Sequence, residues 1–172
     1  MFIACSLDGF IAGHGGDLSW LPGPDAGGED YGYGSFLAET AAILMGRSTY
    51  EVAARFDDWP FGQTPVFVAS SRPLDPVAPT IRTVSGTASE VLGAVRTHTD
   101  GAVYLDGGAL IRSFLAEDLI DELTVTIVGV ILGEGIPLFA GTARRHSLRL
   151  ITATQYPSGL VQLHYVPSKR FD

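Results

Sequence analysis

The sequence predicts an α/β fold: a mostly parallel central sheet with helices on both faces, closed by a C-terminal antiparallel hairpin. Three observations carry that expectation. Short apolar runs (Phe2–Ser6, Ala41–Met45, Val66–Ala69, Val103–Leu105) read as strands buried on both faces. Stretches whose apolar residues recur at helical spacing lie between them. Two β-rich runs, Leu148–Gln155 and Leu160–Val166, are joined by Tyr156-Pro157-Ser158-Gly159 and read as a hairpin.

In chain order, Phe2–Ser6 is a strand, and Leu7-Asp8-Gly9 turns the chain into Phe10-Ile11-Ala12. The stretch from His14 to Gly28 is rich in Gly, Pro and Asp and reads as a loop, with Trp20 packed over something. Tyr33, Phe36, Leu37 and Thr40 share one helical face within Asp30–Thr40. Ala41–Met45 is a buried strand ended by Gly46, and Ser48–Arg55 a short helix. Asp57–Pro65 is a loop carrying Trp59. Val66–Ala69 is the next buried strand and Ile81–Val84 a weaker one. Thr87–Thr97 is helical, with Val91, Leu92 and Val95 inward. Val103–Asp106 leads through Gly107-Gly108 into a helix containing Arg112–Leu115. Asp121–Leu132 is a long β-rich run in which Thr124, Thr126 and Val128 alternate with Val125, Ile127 and Gly129.

At 172 residues the chain suits one full-sized domain, taken as 1–172. Apolar residues make up 46% and charged ones 17%, a globular balance. The net charge of −8, with no basic run longer than Arg144-Arg145, disfavours nucleic acid and anionic membranes as partners. The single cysteine, Cys5, excludes an internal disulfide and a cysteine-based zinc cluster. The apolar start is interrupted by Asp8 and lacks a basic leader, and no run approaches bilayer length, so a cytoplasmic location is expected. His14, His98, His146 and His164 are scattered without ligand spacing, so no metal site is expected, and His98 and His146 are expected at the surface. Gly34-Ser35-Phe36 lacks the second glycine of a nucleophile elbow.

Chemistry concentrates in three strand-to-helix or strand-to-loop turns: Met45-Gly46-Arg47-Ser48-Thr49, Ala69-Ser70-Ser71-Arg72 and Asp106-Gly107-Gly108-Ala109. Carboxyl ends of neighbouring parallel strands line one sheet edge, where ligands settle. Paired glycines let backbone approach a ligand, and a helix start offers free amides to an anion. Equally, Gly107-Gly108 is a helix start that needs room. Arg47 and Arg72 offer forks that match a phosphate. The G-x-G-x-x-G fingerprint is absent, which disfavours the standard dinucleotide fold.

Taken in order, Ser6-Leu7-Asp8-Gly9-Phe10-Ile11-Ala12, Leu44-Met45-Gly46-Arg47-Ser48-Thr49-Tyr50-Glu51 and Asp106-Gly107-Gly108 resemble the dihydrofolate reductase superfamily. Leu119-Ile120-Asp121-Glu122-Leu123, followed by Gly133-Glu134-Gly135-Ile136-Pro137-Leu138-Phe139, is similar to the branch containing the C-terminal reductase domain of the bifunctional riboflavin-biosynthesis protein. The resemblance runs from Ile3 to about Val166. It implies a dihydrofolate reductase-like fold and an NADPH-dependent reductase that passes a hydride to a flat nitrogen heterocycle, a pteridine or an aminopyrimidine.

Carried over by position, the resemblance puts Gly46, Arg47, Ser48 and Thr49 against the pyrophosphate and 2′-phosphate, and Ser70, Ser71 and Arg72 around the adenosine end. Gly107 and Gly108, joined by a cis peptide in dihydrofolate reductases, would meet the pyrophosphate with Ala109 and Leu110. Ala4 and Ile11 would flank the nicotinamide. On the substrate side it points to Asp8, Trp20, Asp30, Tyr50 and Thr126. Asp30 is the candidate catalytic acid, although an acid just before a helix also serves as an N-cap. Asp8 is a turn residue or lines the pocket mouth. A homodimer is implied, with the apolar C-terminal strands as its interface. The competing expectation is a non-catalytic NADP(H)-binding or regulatory module of the same fold.

Overall fold

The run Ala42-Ile43-Leu44-Met45 is wholly excluded from solvent, each residue being 0% exposed. Burial on both faces is what a central strand of a parallel sheet requires. The computed structural model describes residues 1–23, 29–142 and 144–168. Its strands and helices in chain order are β1 Phe2–Ser6, β2 Phe10–Ala12, α1 Tyr33–Glu39, β3 Thr40–Gly46, α2 Arg47–Ala53, β4 Val66–Ala69, β5 Ile81–Val84, α3 Ala88–Arg96, β6 Ala102–Asp106, α4 Gly108–Ala116, β7 Leu123–Val128, β8 Ile136–Pro137, β9 Leu148–Gln155 and β10 Val161–Pro167. None of these helices is long and apolar enough to cross a membrane. The chain divides into two units, Met1–Gly34 with Ile120–Asp172, and Ser35–Leu119.

The Ser35–Leu119 unit is built on a parallel sheet of order β5-β4-β3-β6. Val66, Phe67 and Val68 of β4 are buried beside β3. Val91 and Val95 of α3 and Ile111 and Phe114 of α4 supply the helical side of this core, and the two helices lie against one another. Each such side chain contributes about 1.5–3 kcal/mol on leaving water. Helix α3 opens with a reciprocal cap: Thr87 N–H donates to Glu90 Oε2 at 2.8 Å, and Glu90 N–H donates to Thr87 Oγ1 at 3.3 Å.

The other unit carries a four-stranded sheet of order β1-β7-β10-β9 and the small pair β2-β8. β1 runs parallel to β7, and β7 and β9 run antiparallel to β10. With a partner on each edge, β7 buries Val125 and Thr126 alike, so alternation along it does not separate core from solvent. It is shorter than Asp121–Leu132 because the chain turns after Val128: Val130 N–H donates to Val128 O at 2.7 Å, and Val130 O accepts Leu7 N–H at 2.8 Å. The terminal hairpin forms with a register shift between His164 and Tyr165. β8 is two residues long, too short to carry a periodic signal, and pairs with β2. Two expectations are corrected. His98 is exposed but His146 is half-buried. No described peptide is cis, so Gly107–Gly108 is trans, and the turn there is made by Gly107 at φ +97°.

β8 is admitted beside β2 only because Gly135 has no side chain. It sits at φ +147°, where a Cβ would overlap the Ala12 carbonyl oxygen and the Gly13 backbone. Gly135→Ala is expected to destabilise the protein by about 3 kcal/mol or more, read as a lowered urea midpoint.

Candidate functional site

Register levels the strand ends. Gly46 at the end of β3 pairs with Ala69 at the end of β4, Ala69 pairs with Val84 at the end of β5, and Met45 pairs with Asp106 at the end of β6. The three turns singled out in the sequence therefore share one edge of the β5-β4-β3-β6 sheet. Glycines start both helices that leave β3 and β6: Gly46 is the N-cap of α2 and Gly107 the N-cap of α4, neither with a side-chain cap. A Cβ on Gly107 would stand 2.5 Å from Thr49 Oγ1 and 3.5 Å from Gly46 N. The β3 and β6 turns are thus pressed together at a point only a glycine fits.

Arg47 ties this edge to the β4 turn. Its Nε donates to Glu51 Oε1 at 2.7 Å, and one terminal nitrogen donates to Ser70 Oγ at 3.1 Å, Pro73 O at 3.0 Å and Arg72 O at 3.4 Å. Ser70 Oγ in turn donates to Arg72 O and accepts Arg72 N–H. Ser48, Arg72 and Ala109 are exposed, Thr49 and Leu110 half-buried, and Gly108 buried. Tyr50, a candidate for substrate, is buried and spends its hydroxyl on a loop: it donates to Asp75 O at 2.7 Å and accepts Val77 N–H at 3.2 Å.

Beyond the β4 and β5 tips lies a groove of about 370 Å³. Its polar wall is Ser70, Ser71, Ser85, Thr87, Ser113 and Glu117, and Leu110 and Val91 are among its apolar members. Glu117, at the end of α4, accepts Ala88 N–H at 3.1 Å, Ser89 N–H at 3.0 Å and the Ser89 hydroxyl. The Ser89 hydroxyl leads in holding its carboxyl below the usual carboxylate range. Sequence reading missed Glu117, because its partners lie 28 and 29 positions away. It also left Asp106 without a role. Asp106 accepts Gly107 N–H at 2.8 Å, and burial pushes its carboxyl up to about 6.

In the Met1–Gly34 and Ile120–Asp172 unit, Ala4 and Thr126 are register partners on β1 and β7. Thr126 is 4% exposed, and its hydroxyl accepts Gln162 Nε2–H at 3.1 Å. Ile11 is half-buried on β2. Asp8 accepts Ser6 Oγ–H at 2.6 Å, Leu132 N–H at 3.1 Å and Gly133 N–H at 2.8 Å. Asp30 accepts Gly32 N–H at 2.9 Å and Gly34 N–H at 3.0 Å. Those donors hold both carboxyls down, the Ser6 hydroxyl leading for Asp8 and the Gly32 amide for Asp30. Both carboxylates thus already accept backbone amides, which suits turn and first-turn roles. Trp20 is half-buried, and its indole N–H donates to Asp17 O at 3.1 Å. The Cys5 thiol is pushed up to about 11 by burial and Asp8, which leaves it no nucleophile.

The RibD C-terminal domain family model matches residues 1–162. The chain belongs to that family. YwjB of Bacillus subtilis (strain 168), whose function is uncharacterised, is 33% identical over 168 residues, spanning 96% of this chain and 95% of that protein. A solved structure from Shewanella sp. PV-4, provisionally assigned to riboflavin biosynthesis, is 32% identical with a TM-score of 0.87, covering 98% of this chain and 97% of the other. Dihydrofolate reductase from Enterococcus faecalis, complexed with NADP(H) and RAB-propyl, has a TM-score of 0.68 at 16% identity over 98% and 95% of the two chains. The RibD C-terminal domain family chain described here therefore has the dihydrofolate reductase-like fold.

Asp106 gives this family member a pH signature. A carboxyl raised from 3.8 to about 6 keeps a proton in the folded state that the unfolded chain has released. Its stabilising share is full below about pH 4 and is lost as pH rises to about 6, up to about 3 kcal/mol. The lowered carboxyls of Asp8, Asp30 and Glu117 act at the acidic edge of this window and leave its upper part to Asp106. Asp106→Asn, which keeps an acceptor for Gly107 N–H, is expected to raise Tm at pH 7 by roughly 3–6 °C and to flatten the decline between pH 5 and 6.5, followed by circular dichroism.

Proposed function

We propose that the chain is an NADPH-dependent reductase that passes a hydride to a pteridine- or aminopyrimidine-type heterocycle, similar to the 5-amino-6-(5-phosphoribosylamino)uracil reductase step of riboflavin biosynthesis. The observation that carries this reading is the levelling of the Gly46, Ala69 and Asp106 strand ends, with Gly107 opening α4 against Thr49. The residues present fit a dinucleotide. The glycine-opened start of α4 leaves first-turn amides for a pyrophosphate, and a hydroxyl-rich groove continues past the β4 and β5 tips for the adenosine half. Arg47 and Arg72 supply cationic nitrogens for the 2′-phosphate. Bound there, NADPH supplies the hydride.

The protein's share is to bind, orient and exclude water. Gly46, Arg47, Ser48, Thr49, Gly107, Gly108, Ala109 and Leu110 hold the phosphates in this reading, and Ser70, Ser71 and Arg72 the adenosine end. Ala4 and Ile11 are assigned to the nicotinamide, and Asp8, Trp20 and Thr126 to the substrate side. Asp30, held as an anion by two amides, is assigned to anchoring an N–H edge of the substrate and not to donating a proton. We assign the exposed Leu150 and Ile151 of β9, the outermost strand of its sheet, to a homodimer contact.

One observation favours the non-catalytic alternative: no acid among the named substrate-side residues is poised to donate a proton near neutrality. Purified protein titrated with NADPH separates the readings. Quenched tryptophan fluorescence together with oxidation by a pteridine or aminopyrimidine supports the reductase, quenching without oxidation supports the binding module, and no quenching removes both. Arg72→Ala is expected to weaken NADPH about tenfold while changing NADH little.

A further inference from the structure

We propose that Gln162 is a positioning residue for the substrate, fixing the Thr126 hydroxyl as a hydrogen-bond donor to which the bound heterocycle presents an acceptor. The inference rests on the reductase reading above and concerns how its substrate side selects. Every residue involved belongs to the Met1–Gly34 and Ile120–Asp172 unit. Ala4 of β1, Thr126 of β7 and Gln162 of β10 are register partners, so their side chains stand in one row on one face of the sheet. With Ala4 assigned to the nicotinamide, Thr126 is the next side chain along that row.

The direction of each bond in this row follows from Tyr31. Its carbonyl oxygen, 3.0 Å from Gln162 Nε2, can only accept, so the Gln162 amide must turn its nitrogen that way. The second hydrogen of the same nitrogen meets Thr126 Oγ1 at 3.1 Å, and the amide oxygen accepts Tyr156 O–H at 3.3 Å. Both amide hydrogens are then spent. Thr126 must accept from Gln162, and its own proton is turned elsewhere. Among the described residues nothing takes that proton, although Thr126 is only 4% exposed. A buried donor left without a partner is costly, and an acceptor on a ligand removes that cost. A ring oxo group or an unprotonated ring nitrogen meets this need, and an amino group in the same place does not. The restraint also reaches the neighbouring turn. Tyr31 directly follows Asp30, and its left-handed backbone at φ +53° is held by the Gln162 bond and by edge-on contact with Tyr156. One side-chain amide thus holds both the Thr126 donor and the turn that carries Asp30.

The probes are pterin and 5-aminouracil, and the one that the wild type binds more tightly is carried through. Its Kd is measured by calorimetry on NADP⁺-saturated full chain for the wild type, Gln162→Leu, Thr126→Val and the double variant, beside the Kd of each for NADPH. Each single variant is expected to weaken the probe about tenfold, and the double variant to do no more, because Gln162 acts through Thr126. NADPH affinity is expected to stay within about twofold of wild type. Thr126→Ser, which keeps the hydroxyl, is expected to restore probe binding. Gln162→Glu keeps an acceptor for Tyr156 while losing both donors, and it replaces Gln162→Leu if that variant does not fold. Undiminished probe binding by Thr126→Val, or effects of the two substitutions that multiply, overturns the proposal while the reductase reading stands. So does a joint loss of probe and NADPH in the Gln162 variant, the mark of a merely structural role. If the wild type binds NADPH but neither probe, the heterocycle reading fails and this proposal fails with it.

Discussion

The close approach of Gly107 to Thr49 is the constraint on which the candidate site depends. Parallel strands β3 and β6 end level, and the chain must leave each of them into a helix. A side chain at the α4 cap would run into the α2 entry, since a Cβ on Gly107 would meet Thr49 Oγ1, whereas one on Gly46 would meet nothing within 4 Å. The collision is avoided by glycine at position 107, turned to φ +97°. The missing Cβ at Gly107 is what lets the β3 and β6 turns pack at one sheet edge.

Within each unit, carboxylates divide by what they accept. Asp8, Asp30 and Glu117 each accept backbone amides, and each is shifted toward the ionised form. They behave as fixed negative charges that hold a turn or a helix start. Asp106 is the exception: burial outweighs the hydrogen bonds from the Gly107 amide and the Tyr104 side chain, and its carboxyl rises instead. A half-buried acid adjoining the pressed turn is sensitive to anything that changes the charge or hydration of that edge.

Most of the strands were legible because burial on both faces leaves an apolar run in the sequence. Ala41–Met45 and Val66–Ala69 are the clearest cases, and the hairpin was legible from its Pro-Ser-Gly turn. β8 was not, since two residues between a positive-φ glycine and a core leucine hold no period. Among candidate site residues, the glycine turns were legible as turns, and the sequence left open whether glycine there serves packing or a ligand. Tyr50 and Glu117 did not reveal their roles: one hydroxyl reaches a loop 25 residues on and one carboxylate a helix 28 residues back. Side-chain bonds over such separations leave no local pattern. Even Asp30 was legible only as two alternatives, and backbone geometry was needed to show where its oxygens go.

The polar interior of the other unit follows the same logic of commitment. Gln162 on β10 donates to Thr126 Oγ1 at 3.1 Å and to Tyr31 O at 3.0 Å, while its carbonyl accepts Tyr156 O–H at 3.3 Å. Tyr31 stacks edge-on against Tyr156 and is held at φ +53°, a conformation that non-glycine residues adopt at a cost of about 1–2 kcal/mol. Such strain persists where surrounding bonds over-determine the backbone, and here an amide, a ring contact and the Asp30 turn all converge on one residue. Thr126 is consequently a threonine whose hydroxyl already has a donor. That bond leaves the hydroxyl its proton and a second lone pair while restraining its rotation. A network bonded in this way holds its members by fixed geometry, each bond restraining the residues on either side of it.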